Sequence, residues 1–203
     1  TFVGLKNYIR IWGDKTFTHA LWYTSLFTVA SVITINVLAF LVAMLLTKGI
    51  RGTNVFRTVF FMPNLIGGII LGYIWQLIFN GILLHFNRTL TYSSAYGFFG
   101  LLILMNWQQV GYMMIIYVAG IQNIPGELIE AAKIDGATNR QLLRHVTIPM
   151  VMPSITICTF LTLTNAFKLY DQNLALTAGE PSNKSELLAL NIYNTFYGRT
   201  GWE

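Results

Sequence analysis

The residue types with most to offer chemically lie between Ile124 and Pro153. The order there is Ile124-Pro125-Gly126-Glu127-Leu128-Ile129-Glu130-Ala131-Ala132-Lys133-Ile134-Asp135-Gly136-Ala137. Pro125 and Gly126 interrupt a preceding helix. Glu127 and Glu130 are then expected in the first turn of a new one, where carboxylates favour the positive end of the helix dipole. Ala131 and Ala132 add helix propensity and a low profile, and Gly136 is a suitable stop. The predicted product is a short helix capped at both ends. Its carboxylates, Glu130 above all, suit an ion pair with a partner's Arg or Lys, which is recognition rather than catalysis. An ordinary interfacial helix with solvated charges has the same periodicity, so spacing alone leaves both readings open.

Thr138-Asn139-Arg140-Gln141 follows, with the spacing of a capping box that opens another helix. Arg140 and Arg144 share one face and can snorkel at an interface. Pro149 and Pro153 each remove a backbone donor and crowd the preceding turn, so this helix is expected to bend there. Other chemistry is missing from the sequence. It contains no GxxxxGK[ST] loop for ATP, no HExxH, no GxSxG and no paired cysteines. His19, His85 and His145 are scattered, and Cys158 lies alone in an apolar run, where a packed thiol is expected. We assign no catalytic residue and no metal ligand.

The elements that must position these residues are written in the composition. Of 203 residues, 54% are hydrophobic and only 10% charged, with mean hydropathy +0.55. Soluble domains carry about 25% charged residues, so this surface meets something other than water. A span needs roughly 20 apolar residues to cross about 30 Å of hydrocarbon. Four segments qualify: Leu21 to Thr47, Val55 to Phe79, Phe98 to Ile121, and Leu142 to Tyr170. Helices are expected, because they satisfy their own backbone groups in lipid. The net charge of +5 comes from basic residues standing singly between apolar runs, which excludes nucleic acid as a partner and fits interface anchors. Thr1 to Ala20 has the pattern of an interfacial amphipathic helix carrying Phe2, Leu5, Tyr8, Ile9 and Trp12. Asn183 and Glu186 have the spacing of a helix cap before a second amphipathic helix. Gly68 and Gly72 form a GxxxG pair that favours close helix packing over a place in a pathway. The basic residues, Arg199 among them, divide evenly between the two sides and do not orient the chain.

Polar side chains inside spans are costly and invite a functional reading. On the third span Asn106, Gln109 and Tyr112 fall on one helical face, with Trp107 beside them. Asn165 occupies the fourth. Amides and aromatic rings are what sugar recognition uses, and hydrogen bonding between helices is the competing explanation.

Several of these residues together resemble a known family. Glu130-Ala131-Ala132, then Asp135-Gly136-Ala137, then Ile148-Pro149 and Pro153, resemble the EAA motif of permease subunits from binding-protein-dependent ABC importers. Phe2-Val3-Gly4-Leu5-Lys6-Asn7-Tyr8, Phe56-Arg57 through Met62-Pro63, Ala119-Gly120-Ile121-Gln122, and Phe167 with Tyr170-Asp171 then Leu176-Thr177 are similar to its sugar-permease branch, the maltose and multiple-sugar type. Ala178-Gly179-Glu180-Pro181 departs from the expected Gly-Gly-Pro. The resemblance implies an all-α, polytopic helix bundle of the type I importer permease kind, with a cytoplasmic coupling helix. It implies a bacterial or archaeal cell membrane and transport of carbohydrate, expected to be oligosaccharide. It further implies a second homologous permease, an ATPase subunit dimer that binds the ATP and Mg, and an extracytoplasmic solute-binding protein. Glu127, Glu130, Ala131, Ala132, Asp135, Gly136 and Ala137 become the expected ATPase-coupling residues, and Pro149 and Pro153 the bend of the transmitting helix.

Because the sequence opens on Thr1, we expect part of a longer protein: residues 1–19 an interfacial segment after a missing first span, and 20–203 a transmembrane domain lacking its last span. A permease for another polar solute such as glycerol phosphate is the nearest alternative. A secondary transporter would carry carboxylates in its spans or internal repeats, and a membrane scaffold would have no need of the segment around Glu130.

Overall fold

A computed structural model describes residues 4–49 and 51–198. Thr1, Phe2 and Val3 at one end, and Arg199 and Glu203 at the other, lie outside the described residues. So do the sequence expectations placed on them. Every regular element described is helical. In chain order they are α1 (Lys6–Gly13), α2 (Lys15–Leu46), α3 (Thr53–Phe61), a 3-10 turn (Met62–Leu65), α4 (Gly68–Leu84), a short 3-10 turn (Leu90–Tyr92), α5 (Ser94–Gln122), α6 (Gly126–Ile134), α7 (Asn139–Leu142), a π turn (Leu143–Thr147), α8 (Ile148–Phe167), α9 (Asp171–Leu176), α10 (Leu188–Tyr193) and a second π turn (Asn194–Gly198).

Among the described residues, three helical runs are long and apolar enough to cross a membrane: Lys15–Leu46, Ser94–Gln122 and Asn139–Phe167. In α2 the residues Trp22, Leu26, Val29, Ile33, Val37, Leu41 and Leu45 are all more than half exposed. Water would penalise such a stripe, and hydrocarbon does not. The second expected span is not one continuous helix. Thr53–Leu65 and Gly68–Leu84 are separate pieces, with a bend of 100° at the break between them. The break follows Pro63, which sits buried in the 3-10 turn, and falls at Gly67, whose extended backbone opens α4. The N-terminal amphipathic segment is also divided. Asp14 Oδ1 accepts hydrogen bonds from the Thr16 N–H (2.8 Å) and hydroxyl (2.7 Å), capping α2 and ending the run of α1.

The chain folds into two compact units. The first gathers the residues up to Ser31, Ile66–Met105, and those from Leu163 onward. Here α4 packs on α9, and the GxxxG pair explains how closely. A methyl at Gly68 would lie 2.8 Å from the Asp171 Cβ, and one at Gly72 would lie 2.6 Å from the Ala175 Cβ. The Gln76 amide donates to the Leu176 carbonyl at 3.1 Å. Next to this contact the buried Asn173 ties a loop down. Its Nδ2 donates to the Thr177 hydroxyl and the Ser185 carbonyl, each at 2.9 Å, and its Oδ1 accepts from the Leu187 N–H at 2.9 Å. The Asn183–Glu186 pair does not cap a helix. Asn183 takes a left-handed backbone, Glu186 is buried, and its carboxylate accepts from Asn191 (2.8 Å) and Asn194 (2.6 Å). The helix instead begins at Leu188, whose N–H donates to the buried Thr24 hydroxyl at 2.8 Å.

The second unit holds Val32–Leu65 and Asn106–Thr162. Its helices are joined by partly buried polar groups. The Tyr117 hydroxyl donates to Asn36 Oδ1 at 2.7 Å, while Asn36 Nδ2 donates to the Val32 carbonyl at 2.8 Å and faces the Thr162 hydroxyl at 3.4 Å. Cys158 is fully buried, as expected of a packed thiol. On α5, Gly111 lets the Phe60 carbonyl approach so closely that any Cβ there would overlap it.

Gly111→Ala is therefore expected to destabilise the protein, by about 1–3 kcal/mol for overpacking that backbone cannot easily relieve. Gly81→Ala, in α4 with nothing within 4 Å, should be neutral or slightly stabilising. Thermal unfolding of both variants in nanodiscs checks the difference.

Candidate functional site

The segment singled out in the sequence forms α6, a connector, and the helical run that starts at α7. Pro125, with φ −58° and ψ 129°, sets the entry to α6, and no side chain caps that end. The expected double cap is therefore half correct. Glu127 is in the first turn, as expected. Glu130 is not, because the helix starts at Gly126, leaving Glu130 in the second turn.

The C-terminal end is fully built. Gly136 takes φ +78°, a left-handed conformation that a side chain disfavours. The Gly136 N–H donates to the Lys133 carbonyl (3.0 Å) and the Ala137 N–H to the Ala132 carbonyl (2.9 Å). These two bonds are a Schellman motif. A Cβ at Gly136 would meet nothing within 4 Å, so the dihedral angle, not space, calls for glycine. One residue past Ala137 the capping box is present: Thr138 N–H donates to Gln141 Oε1 (2.8 Å) and Gln141 N–H to the Thr138 hydroxyl (3.4 Å). The connector is thus pinned from both sides.

On α6, Glu127, Glu130, Ala131 and Ile134 recur at helical spacing and all are exposed. Ile134 is 86% exposed and Leu128 43%. An isoleucine that bare, next to carboxylates, is the feature that reading for charge alone passed over. Its signal was present, since position 134 repeats the face of Glu127, Glu130 and Ala131. Ala132 turns the other way and is half-buried, as is Ala137, whereas Asp135 and Gly136 are exposed.

From Asn139 to Phe167 the helix is unbroken but not uniform. Pro149 and Pro153 both lie inside it. Ahead of them the chain widens into the π turn Leu143–Thr147, closed by the Ile148 N–H donating to the Leu143 carbonyl. A proline ring crowds the carbonyl four residues earlier, and one extra residue in the preceding turn gives that carbonyl room. Two basic residues, Arg144 and His145, stand in the widened turn.

The polar candidates of the spans divide. Asn106, Gln109 and Tyr112 are half-buried on α5, while Trp107 is 44% exposed off that face. Asn106 Nδ2 donates to the Thr34 hydroxyl at 3.0 Å, which is a helix–helix bond between α5 and α2. The Tyr112 ring lies 6.5 Å from that of Phe61. Asn165 is half-buried on α8 and belongs to the other compact unit.

A bundle of spanning helices with a short, exposed helix inserted between two of them defines a class of membrane transport component. Residues 35–199 match the family described as binding-protein-dependent transport system inner membrane component, and the chain belongs to it. It is 44% identical over 204 residues to the probable starch degradation products transport system permease protein AmyD of Thermoanaerobacterium thermosulfurigenes, covering 97% of this chain and 70% of that one. It is 32% identical to the multiple sugar-binding transport system permease protein MsmF of Streptococcus mutans, covering 95% and 70%. In fold it is similar to a chain of a bacterial alginate ABC transporter crystallised with an alginate pentasaccharide-bound periplasmic protein. That match has a TM-score of 0.78 and 18% identity, covering 95% and 71%.

Gly136→Ala is expected to cost about 1 kcal/mol by forcing a side chain into the left-handed region. Thr138→Ala should cost about 1 kcal/mol through the lost cap. Gly126→Ala, at ordinary φ with open space around it, is the control. Hydrogen exchange over residues 126–147 should show faster opening in the first two variants only.

Proposed function

We propose that this chain is the permease subunit of an ATP-driven carbohydrate importer, most directly of oligosaccharides, in the cell membrane of a bacterium or archaeon. The observation that carries the coupling half of this reading is the exposed face Glu127–Glu130–Ala131–Ile134. It stands on a helix that a Schellman motif ends, and the connector beyond it is held by the capping box of α7. Exposed charge alone would suit solvent. A bare isoleucine among the charges suits a protein partner, since its burial is worth about 1.5–3 kcal/mol. We assign that partner as a separate ATPase subunit, which binds the ATP and Mg; Glu130 meets one of its cations. A second permease completes the pathway, and a solute-binding protein delivers the sugar from the opposite side of the membrane. The carbohydrate half rests on the two relatives, whose names refer to starch degradation products and to multiple sugars.

When the ATPase dimer closes, α6 is displaced together with the connector at its C-terminal end, which the Schellman motif and the capping box of α7 hold. The rigid connector passes the displacement to α7, and the run through Pro149 and Pro153 carries it into the span. The π turn is the compliant point of that run. Among the polar span residues of the second unit, we assign Gln109 and Tyr112 to the solute path with Trp107 as a further contact, and Asn106 chiefly to packing.

With Glu130→Ala or Ile134→Asp, ATP hydrolysis stimulated by loaded binding protein should fall roughly tenfold or more, as truncating one side of a desolvated pair costs about 2 kcal/mol or more. Unchanged stimulation in both variants would overturn the coupling assignment. Uptake across a panel of oligosaccharides tests the substrate class. There Gln109→Ala should raise KM with little change in thermal stability, whereas Asn106→Ala should lower stability by about 1 kcal/mol for its lost hydrogen bond.

A further inference from the structure

Between Lys15 and Gly126 the chain carries five lysines or arginines and not one aspartate or glutamate. Three of the five, Lys48, Arg51 and Arg57, fall within ten residues of each other where α2 gives way to α3. The nearest carboxylates along the chain are Asp14 and Glu127. Lys48 and Arg51 are exposed. Two left-handed glycines, Gly49 (φ +76°) and Gly52 (φ +81°), turn the chain there, and no side chain caps the start of α3 at Gly52. Arg57 stands on the half-buried face of α3 with Thr53 and Phe61. Its Nε is buried and finds no hydrogen-bond partner among the described residues. Helical side chains lean toward the N-terminus, which carries a side chain as long as that of Arg57 back toward the turn. The remaining face of α3 suits hydrocarbon: Val55, Phe56, Val59 and Phe60 form one stripe at helical spacing, and all are exposed.

We propose that this turn binds the headgroup phosphate of an anionic phospholipid, whose acyl chains lie along the α3 stripe. Charge selects the headgroup. Three cations with no carboxylate in their own stretch of chain create a positive potential that a net-negative headgroup neutralises and a zwitterionic one does not. The stripe selects a lipid over a free anion, because soluble phosphate gains nothing from Val55, Phe56, Val59 or Phe60, whereas an acyl chain covers them. A basic turn that leads into an exposed apolar helix face is the arrangement by which amphipathic segments hold anionic leaflets. Ordinary interface anchors accept any headgroup; this turn discriminates. The lipid contact is independent of what α6 meets.

The test uses the assembled importer in nanodiscs, with Val59→Cys on the stripe carrying a bimane label. The native Cys158 is buried and stays unlabelled. The discs hold phosphatidylcholine doped with brominated phosphatidylglycerol or with brominated phosphatidylcholine. Half-maximal quenching should need at least fivefold less of the brominated phosphatidylglycerol, since each cation near an anionic surface is worth about fivefold. Lys48→Gln combined with Arg51→Gln should abolish that preference, and Lys48→Arg combined with Arg51→Lys should keep it. Neither pair should change the melting temperature in phosphatidylcholine alone. Equal quenching by the two lipids overturns the proposal and leaves three plain anchors. Quenching by neither also overturns it, because protein then covers the stripe. A preference seen in the permease pair that disappears once the ATPase is added overturns it in favour of an acidic protein surface. A preference erased by inorganic phosphate at constant ionic strength overturns it in favour of a site for the free anion.

Discussion

A polypeptide in hydrocarbon has no water to satisfy an unpaired amide or carbonyl, and each such group costs several kcal/mol. Most features described above follow from that constraint. It makes the spans helical, and it requires each departure from a regular helix to be made good locally. Where Pro149 cannot donate, the helix widens over Leu143–Thr147 and the Ile148 N–H finds Leu143. Where α4 begins, Gly67 supplies the turn. Where α9 ends against α4, the Gln76 side chain reaches the Leu176 carbonyl. Polar side chains in the spans are largely committed to this work. Asn36 joins α2 to α5 and α8, and Asn106 joins α5 to α2.

Much of this was legible in the residues themselves, wherever a feature depends on near neighbours. The long apolar runs, the stop at Gly136 and the capping box from Thr138 to Gln141 are local patterns with local causes. Gly68 and Gly72 were read correctly as packing, although their partner, α9, could not be named. What failed was of another kind. The second span looked continuous because hydropathy carries no direction: Val55 to Phe79 is apolar on both sides of its break. Asn183 and Glu186 have cap spacing, yet Glu186 is held by Asn191 and Asn194, and Asn173 fixes the loop beside it. No short-range pattern reports a tertiary contact that outcompetes a cap.

The candidate site divides in the same manner. The position of the short helix and its stop could be read from spacing. Which of its faces is bare could not, because Ala131 and Ala132 are identical in type and adjacent in sequence. Only the placement of the α7 run behind α6 separates an alanine that stays exposed from one that lines a hollow. Ile134 shows the converse. Its face was computable from the helical repeat, but an isoleucine in an apolar-rich chain attracts no notice until its surroundings prove empty.

The pairing of α4 with α9 also imposes an order on manufacture. The ribosome completes Gly68, Gly72 and Gln76 about a hundred residues before Leu176, the acceptor of the Gln76 amide. During that interval α4 is synthesised with its notched side and its amide lacking their final partners. Closing so distant a contact is slow relative to forming the helix itself. The first compact unit therefore cannot be finished until the chain beyond Leu163 has emerged, whereas every segment of the second has been made by Thr162. A nascent chain stalled between those points already holds α6 while the packing of α4 on α9 is still open.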